Sequence, residues 1–383
     1  DPPLVDEKDG FPVVRFKVPL RPGNYTISPQ AAIKLFRFIK YNAFDLVNGH
    51  SILSMFALLA IHGAKGILGI PTIATNHSLI RDGLKLHTRL LLRYGVYRAD
   101  LLTGVSSVVA RELEEIFGRN DVFVTPNCIR VDEWRNVEPK ELEGDPILLL
   151  VSRLTERKNP FLAIRVLKEL VSRGNSKARL YIAGGGPLKG ILEKYAETYG
   201  VEDKVFFLGE VERAKVKELM VSADLLLMPS KHEAFGIAAL EAMALGTPVV
   251  GMRETGLEDF ISHEVSGMLA YSEDEFVKYA ITLAEDPQLR RKMSIQARRS
   301  AERFDCKSTV KIYLNVYRRA LDMCTREKRL IVYRLYRMLR LNPVAPGEWC
   351  NGRKEEYYSA RNYDGIPIIR RRTRRPAIPV PQR

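Results

Sequence analysis

From Pro146 onward the chain alternates short apolar runs with amphipathic stretches, and that pattern constrains the fold more than any other feature of the sequence. It suits a parallel sheet whose strands are joined by right-handed helical crossovers. Strands are expected at Pro146–Val151, Arg179–Ala183, Val205–Gly209, Leu225–Met228 and Pro248–Gly251. Helices are expected near Phe161–Ser172, Leu188–Tyr199, Arg213–Val221, Gly236–Leu245 and Leu257–Ser262. Together they make one complete α/β unit, followed by long helices near Glu273–Glu285, Pro287–Phe304 and Ser308–Asp322. The first part reads as a second α/β unit. Its strands are expected at Val13–Val18, Asp45–Asn48, Thr72–Thr75, Leu101–Val105 and Val122–Val124, and its helices at Gln30–Lys40, Leu53–Gly63, Leu86–Tyr97 and Ser107–Ile116.

The 383 residues, 46% hydrophobic and 28% charged, suffice for two such cores. The polar run Glu141-Leu-Glu-Gly-Asp-Pro146 is the expected linker. It gives domains over 1–142 and 143–305, with the helix near 308–322 returning to the first and a basic helix and irregular tail over 323–383. Cys128, Cys306, Cys324 and Cys350 are scattered without a CxxC pair, which argues for a reducing cytoplasm and against disulfides or structural zinc. Cys128 is expected only to fill a turn. Ser51–Ala74, the most apolar stretch, is broken by His62, Lys65, three glycines and Pro71, so it reads as helix then strand rather than a membrane span. A net charge of +14 favours anionic partners: nucleotide diphosphates, phospholipid surfaces or nucleic acid. No aromatic-interleaved basic strand or helix-turn-helix speaks for the last of these.

Chemistry concentrates in Ser230–Val250. The apolar run Ala223–Pro229 reads as a strand buried on both faces, so Glu233 falls in the loop at its carboxyl end. Gly236 lets the chain turn closely. The N–H groups of Phe235, Gly236 and Ile237 then open a helix, where the dipole favours an anion such as a diphosphate. Glu241 lies more than one turn further in, within reach of ribose hydroxyls. On spacing alone, an amphipathic helix with solvated glutamates explains the same residues.

The stretch resembles the Glu-x7-Glu signature of the retaining glycosyltransferases of the family 4 type. The likeness runs from about His50 to Leu321 through Asn48-Gly-His50, Thr75-Asn-His77, Gly104–Ser107, Pro126-Asn127, Val151–Leu154 with Arg157-Lys158, Gly184–Pro187 and Phe207–Glu210. It implies an α/β fold of two facing Rossmann-like domains, the GT-B architecture. Family members begin with a strand and glycine-rich turn that do not precede Asp1, so the first domain is expected to be incomplete.

The resemblance implies that Arg153 and Lys158 grip the diphosphate of a nucleotide-sugar donor; charge develops there as it leaves, and a guanidinium fork beside a point charge suits phosphate oxygens. The glycine turn, with Gly185 and Gly186, and Leu208 and Glu210 would border the nucleoside. Glu233 would bind sugar hydroxyls and support an oxocarbenium-like transition state, and Glu241 the ribose. His77, at a strand's carboxyl end, would orient the acceptor hydroxyl beside the transferring carbon. No cofactor is expected beyond the donor itself, and no metal, because no carboxylate cluster is visible. Two departures stand out: Pro126-Asn-Cys-Ile-Arg130 replaces the family's Pro-Asn-Gly-Ile-Asp, and Ala234 follows the first glutamate.

Arg326–Leu341 has an apolar face of Ile331, Val332, Leu335, Met338 and Leu339 with arginines mostly elsewhere, so the acceptor is expected to be a carbohydrate or lipid-linked, with peripheral association at an anionic inner membrane face. A helix packed on the protein fits the same pattern. A sugar-nucleotide epimerase on the same fold, or a non-catalytic basic scaffold binding nucleic acid, are the alternative functions.

Overall fold

The structure, a computed structural model, describes residues 4–8, 10–16, 29–42, 44–80, 92 and 98–338, with side chains left out at 4, 5, 29 and 324–338. Strands β1 (Leu4–Lys8) and β2 (Phe11–Arg15) form an antiparallel hairpin, Leu4 opposite Arg15 and Lys8 opposite Phe11. The expected strand at Val13–Val18 therefore shifts toward the amino end, because residues 4–8 supply a partner and Asp6 pairs with Arg15 across the hairpin.

Helix α1 (Pro29–Tyr41), strand β3 (Val47–His50) and helix α2 (Met55–Gly63) follow. They enclose a small core of Leu35, Ile39 and Ala64, against which Phe16, Phe44, Val47 and Phe56 pack. Strands β4 (Thr72–Asn76) and β5 (Leu101–Gly104), helix α3 (Ser107–Phe117) and strand β6 (Val122–Val124) come next. A four-stranded sheet has the order β3-β4-β5-β6. Helix α3 starts where Ser106 Oγ accepts from Val109 N and stops at the left-handed Gly118, the chemistry expected of both ends. The helix expected at Leu86–Tyr97 lies outside the described residues.

The second sheet is parallel and six-stranded: β7 (Ile147–Val151), β8 (Arg179–Ala183), β9 (Val205–Gly209), β10 (Leu225–Met228), β11 (Val249–Met252) and β12 (Met268–Ala270), in the order β12-β11-β10-β7-β8-β9. Helices α4 (Phe161–Ser172), α5 (Lys189–Thr198), α6 (Arg213–Ser222), α7 (Ile237–Leu245), α8 (Glu273–Glu285) and α9 (Pro287–Glu302) accompany these strands. Leu148, Leu150, Leu180, Ile182, Leu225 and Leu227 are buried in one core with Ile164, Leu167 and Phe276 from α4 and α8. The helix expected at Leu257–Ser262 is a 3-10 turn over Gly256–Asp259, since Thr255 caps its start and Phe260 is buried straight after it. Helix α10 (Cys306–Met338) joins the two helices expected near 308–322 and 326–341, and the faces expected of the latter fall on side chains outside the described residues. No described helix is long and apolar enough to cross a membrane.

One expectation is overturned. Cys128 and Cys306 are joined by a disulfide, with their Cα atoms 4.9 Å apart. Ile129 bridges to Asp305, and Cys306 N donates to Ile129 O at 2.9 Å, so main-chain pairing brings together cysteines 178 positions apart. Spacing along the sequence carries no trace of such a pair. The chain divides into two compact units, Asp1–Ala74 with Leu90–Asp100 and Tyr317–Arg383, and Thr75–Arg89 with Leu101–Val316.

Candidate active site

Strand β7 is the first of the six-stranded sheet in sequence; β8 and β9 extend it on one side, β10, β11 and β12 on the other. The chain thus reverses its direction of sheet growth between β7 and β10. In open parallel sheets a crevice forms beyond the carboxyl ends of the strands at such a point. Arg153 and Lys158 follow β7, and Glu233 follows β10.

Lys158 closes a 3-10 turn over Glu156–Lys158, and its Nζ lies 2.5 Å from Glu233 Oε2. The two side chains are 27% and 14% exposed, so the pair is shielded from solvent without being sealed off. Arg157 donates to His232 O at 2.9 Å and Ser230 Oγ donates to Arg157 O at 3.1 Å, which stitches the two loops together along their backbones. Arg153, two residues past β7, is exposed, and among the described residues its guanidinium has no hydrogen-bond or ion-pair partner.

The glycine turn after β8 rests on this segment. Gly184 has φ 142°, and a Cβ there would lie 1.9 Å from Ser152 O, so only glycine lets the turn sit against the strand end that carries Arg153. Leu154 N donates to Gly185 O at 2.8 Å, and Gly184 N donates to Gly209 O at 2.7 Å, locking the loops after β7, β8 and β9 together. A Cβ on Gly185 would come within 3.1 Å of the exposed Glu210; Gly186 is exposed and Leu208 half-buried beside them.

Gly236 caps α7 with φ 94°, held by Leu257, whose Cδ2 would be 2.4 Å from a Cβ at that position. The side chain of Phe235 turns into the core, with ring centroids 5.3 Å from Phe260 and 6.0 Å from Phe304. Its function at the helix start is therefore restricted to its backbone. The N–H groups of Phe235, Gly236 and the exposed Ile237 have no partner among the described residues. That leaves an array of donors suited to an anion. Gly256 N donates to Glu233 O at 2.8 Å, so the loop after β11 also braces Glu233.

In the second turn of α7, Glu241 is 14% exposed, with Oε1 3.3 Å from the Arg213 guanidinium. Burial pushes its carboxyl up to about 7 against the opposing pull of Arg213 and then Lys217. His77 is exposed at the carboxyl end of β4, in the other sheet. Its loop is held by Asn76 Nδ2 donating to Ser78 O at 2.6 Å and by Ile80 N donating to the buried carboxylate of Glu112 at 2.8 and 2.9 Å. Ser107, at the start of α3, donates to Asp259 from its N at 2.8 Å and from its Oγ. Neither Arg213 nor the Ser107–Asp259 pair carries a local signal in the sequence; both depend on pairings more than 25 positions apart. Among the described residues, no group of three or more His, Cys, Asp or Glu is arranged to hold a metal ion.

Two family models match, "Glycosyl transferases group 1" over residues 132–300 and "Glycosyltransferase Family 4" over residues 1–133. An uncharacterized glycosyltransferase of Methanocaldococcus jannaschii is 36% identical over 187 residues, 48% of this chain and 47% of that protein, so the match spans about half of that relative's length. A D-inositol 3-phosphate glycosyltransferase of Saccharomonospora viridis is 32% identical over 312 residues, 73% of this chain and 70% of the relative. Among solved structures, Anabaena HepE in complex with UDP and glucose superposes with a TM-score of 0.65 at 19% identity, covering 76% of this chain and 80% of that one. At that identity the likeness establishes the fold.

Proposed function

The chain belongs to the family 4 glycosyltransferases and has their GT-B fold, and from that premise we propose that it moves a sugar from a nucleotide-diphosphate sugar to an acceptor hydroxyl with retention of configuration. The observation that carries this reading is the Lys158–Glu233 pair at the reversal point of the parallel sheet, flanked by Arg153 and the N–H groups at the start of α7, which have no partner among the described residues. A diphosphate would meet two cations and a helix terminus there, and Glu233 stands where sugar hydroxyls would follow.

The reaction needs the C1–O bond to the diphosphate to break and a bond from the acceptor oxygen to C1 to form on the same face. Arg153, Lys158 and the N–H groups of residues 235–237 would take up the charge on the leaving group, the largest electrostatic demand of the step. Arrival of the diphosphate would draw Lys158 from Glu233, freeing that carboxylate to accept from the sugar hydroxyls and to face the positive charge growing at C1. The leaving phosphate oxygen would take the acceptor proton, and His77 would orient the acceptor by a hydrogen bond. Glu241 would accept from the ribose, with Gly185, Gly186, Leu208 and Glu210 bordering the base. No metal is assigned a part in this scheme. The acceptor class is a carbohydrate or lipid-linked hydroxyl, reached from the cytoplasmic side at a peripheral position.

A thermal-shift panel of UDP, GDP, ADP and TDP with their sugars tests the reading, UDP first because HepE binds it. A ligand at 100 times its dissociation constant adds about 2.7 kcal/mol of stability. Shifts for one base series that vanish in Lys158→Ala, together with sugar transfer that survives chelator, are the expected outcome. No shift with any nucleotide refutes it.

A further inference from the structure

Helix α6 begins at Arg213, directly after the loop that carries Glu210. Its first two turns present two cations, Arg213 and Lys217, to one aromatic ring. The Arg213 Cζ lies 5.4 Å and the Lys217 Nζ 4.8 Å from the centroid of Trp134, and Lys217 also donates to Glu133 O at 2.8 Å. Trp134 ends a 3-10 turn over Val131–Trp134, is fully buried, and its Nε1 has no hydrogen-bond partner among the described residues. A buried N–H left unpaired is a cost that Phe or Leu would avoid. What tryptophan offers in return is the strongest π face for a cation.

The other side of Arg213 meets Glu241. Its Nη2 is 3.3 Å from Oε1, while Oε2 has no partner among the described residues. Other charged groups near α7 are engaged elsewhere: Arg298 of α9 donates to Leu245 O, Arg290 pairs with Asp224, Glu302 with Arg135, Asp132 with Lys307, and Glu133 with Arg130. The packed strands β10 and β11 bring no charged side chain. Arg213 and Lys217 are therefore the two cations that act on this carboxylate.

We propose that Arg213, braced on the Trp134 ring, is a positioning residue that holds Glu241 by one oxygen and leaves Oε2 presented to the ribose hydroxyls of the donor nucleotide. This rests on the function proposed above and adds to it a residue that touches neither the phosphates nor the sugar. A planar guanidinium suits this place, because it can face the ring and still donate in its own plane along a fixed direction, which a freely rotating ammonium fixes less well. Holding the carboxylate ionised matters because a charged acceptor makes the stronger hydrogen bond to a hydroxyl.

Calorimetric titration of the full chain with UDP, GDP, their 2′-deoxy forms and inorganic pyrophosphate, from pH 6.5 to 8.5, tests this with Arg213→Gln and Arg213→Lys. The arginine is 64% exposed, so both variants should keep the fold, which their unfolding midpoints check. The wild type should prefer the ribonucleotide. Arg213→Gln should lose about tenfold of that preference at pH 7 and recover it toward pH 8.5, with Arg213→Lys between the two and pyrophosphate affinity unchanged in both. A preference and pH profile identical to wild type would overturn the positioning role alone. An equal loss for pyrophosphate would overturn it by making Arg213 a phosphate-binding cation. A wild type that binds neither UDP nor GDP would bring down this inference and the proposed function together.

Discussion

Glu241→Gln separates stability from function in a way that few substitutions at a site can. The carboxyl is 14% exposed and titrates near 7 instead of 4.5, because burial outweighs the pull of Arg213 and Lys217. Since the folded state holds the proton more tightly than the unfolded chain, stability is greatest below about pH 4.5 from this group and falls as pH rises toward 7. At 1.4 kcal/mol per decade, the ionised carboxylate costs the fold about 3 kcal/mol at pH 8. The amide has no such slope. That cost already includes the pull of Arg213, an ion pair to a largely exposed arginine worth at most about 1 kcal/mol.

Glu241→Gln should therefore be more stable than wild type at pH 8 by about 3 kcal/mol, a difference that shrinks to about 1 kcal/mol or less at pH 5. The same variant should bind the preferred nucleoside diphosphate about tenfold more weakly, having exchanged a charged acceptor for a neutral one. Urea unfolding at both pH values gives the first quantity and calorimetric titration the second. Equal stability of the two proteins at pH 8 would refute the burial argument. Unchanged affinity would refute the ribose assignment even if stability rose as expected.

Arg153→Ala should lower turnover about a hundredfold to a thousandfold with little change in melting temperature, since the side chain is exposed and has no hydrogen-bond or ion-pair partner among the described residues; activity within twofold of wild type would remove it from the proposed diphosphate site. Gly184→Ala forces a Cβ to within 1.9 Å of Ser152 O at φ 142°, so a loss of at least about 2 kcal/mol is expected in thermal unfolding, along with weaker nucleotide binding. Cys306→Ser opens a cross-link between positions 178 apart, which on chain entropy alone stabilises by up to about 5 kcal/mol. Wild type in strong reductant should fall to the stability of the variant, and a reductant-insensitive wild type would contradict the disulfide.

The six-stranded sheet is legible in the sequence because its cause is local. Runs such as Leu225–Met228 are apolar throughout, as strands covered on both faces must be, and each is punctuated by a turn residue. Elements whose cause is not local are harder to read. Met268–Ala270 is too short for any period to show, and it becomes a strand only because Val250 and Met252 of β11 offer it a ladder. The hairpin at the amino end is similar: its acidic first strand looks like a charged terminus until Asp6 meets Arg15. Cys128 and Cys306 sit in unrelated sequence contexts and meet through the Ile129–Asp305 bridge, so counting and spacing cysteines gives the opposite conclusion.

The candidate site divides along the same line. Strand ends are local features, so the loops that carry Arg153, Lys158 and Glu233 can be placed from apolar runs alone. Which loops lie side by side depends on strand order. Lys158 and Glu233 are 75 positions apart, and they meet only because β10 docks against β7 after the chain has first built β8 and β9 on the other side. A sheet that added each new strand to the same edge would leave β9, not β7, beside β10, and the two residues would stand three strands apart. Arg213 and Trp134 lie a further step from legibility, because the contacts of Arg213 with Glu241 on one side and with the Trp134 ring on the other need α6, α7 and the 131–134 turn to pack in a particular way. The residues that do chemistry at such a site can thus be nominated from sequence patterns. Those that hold them in place become visible only when the sheet order and the helix packing are known.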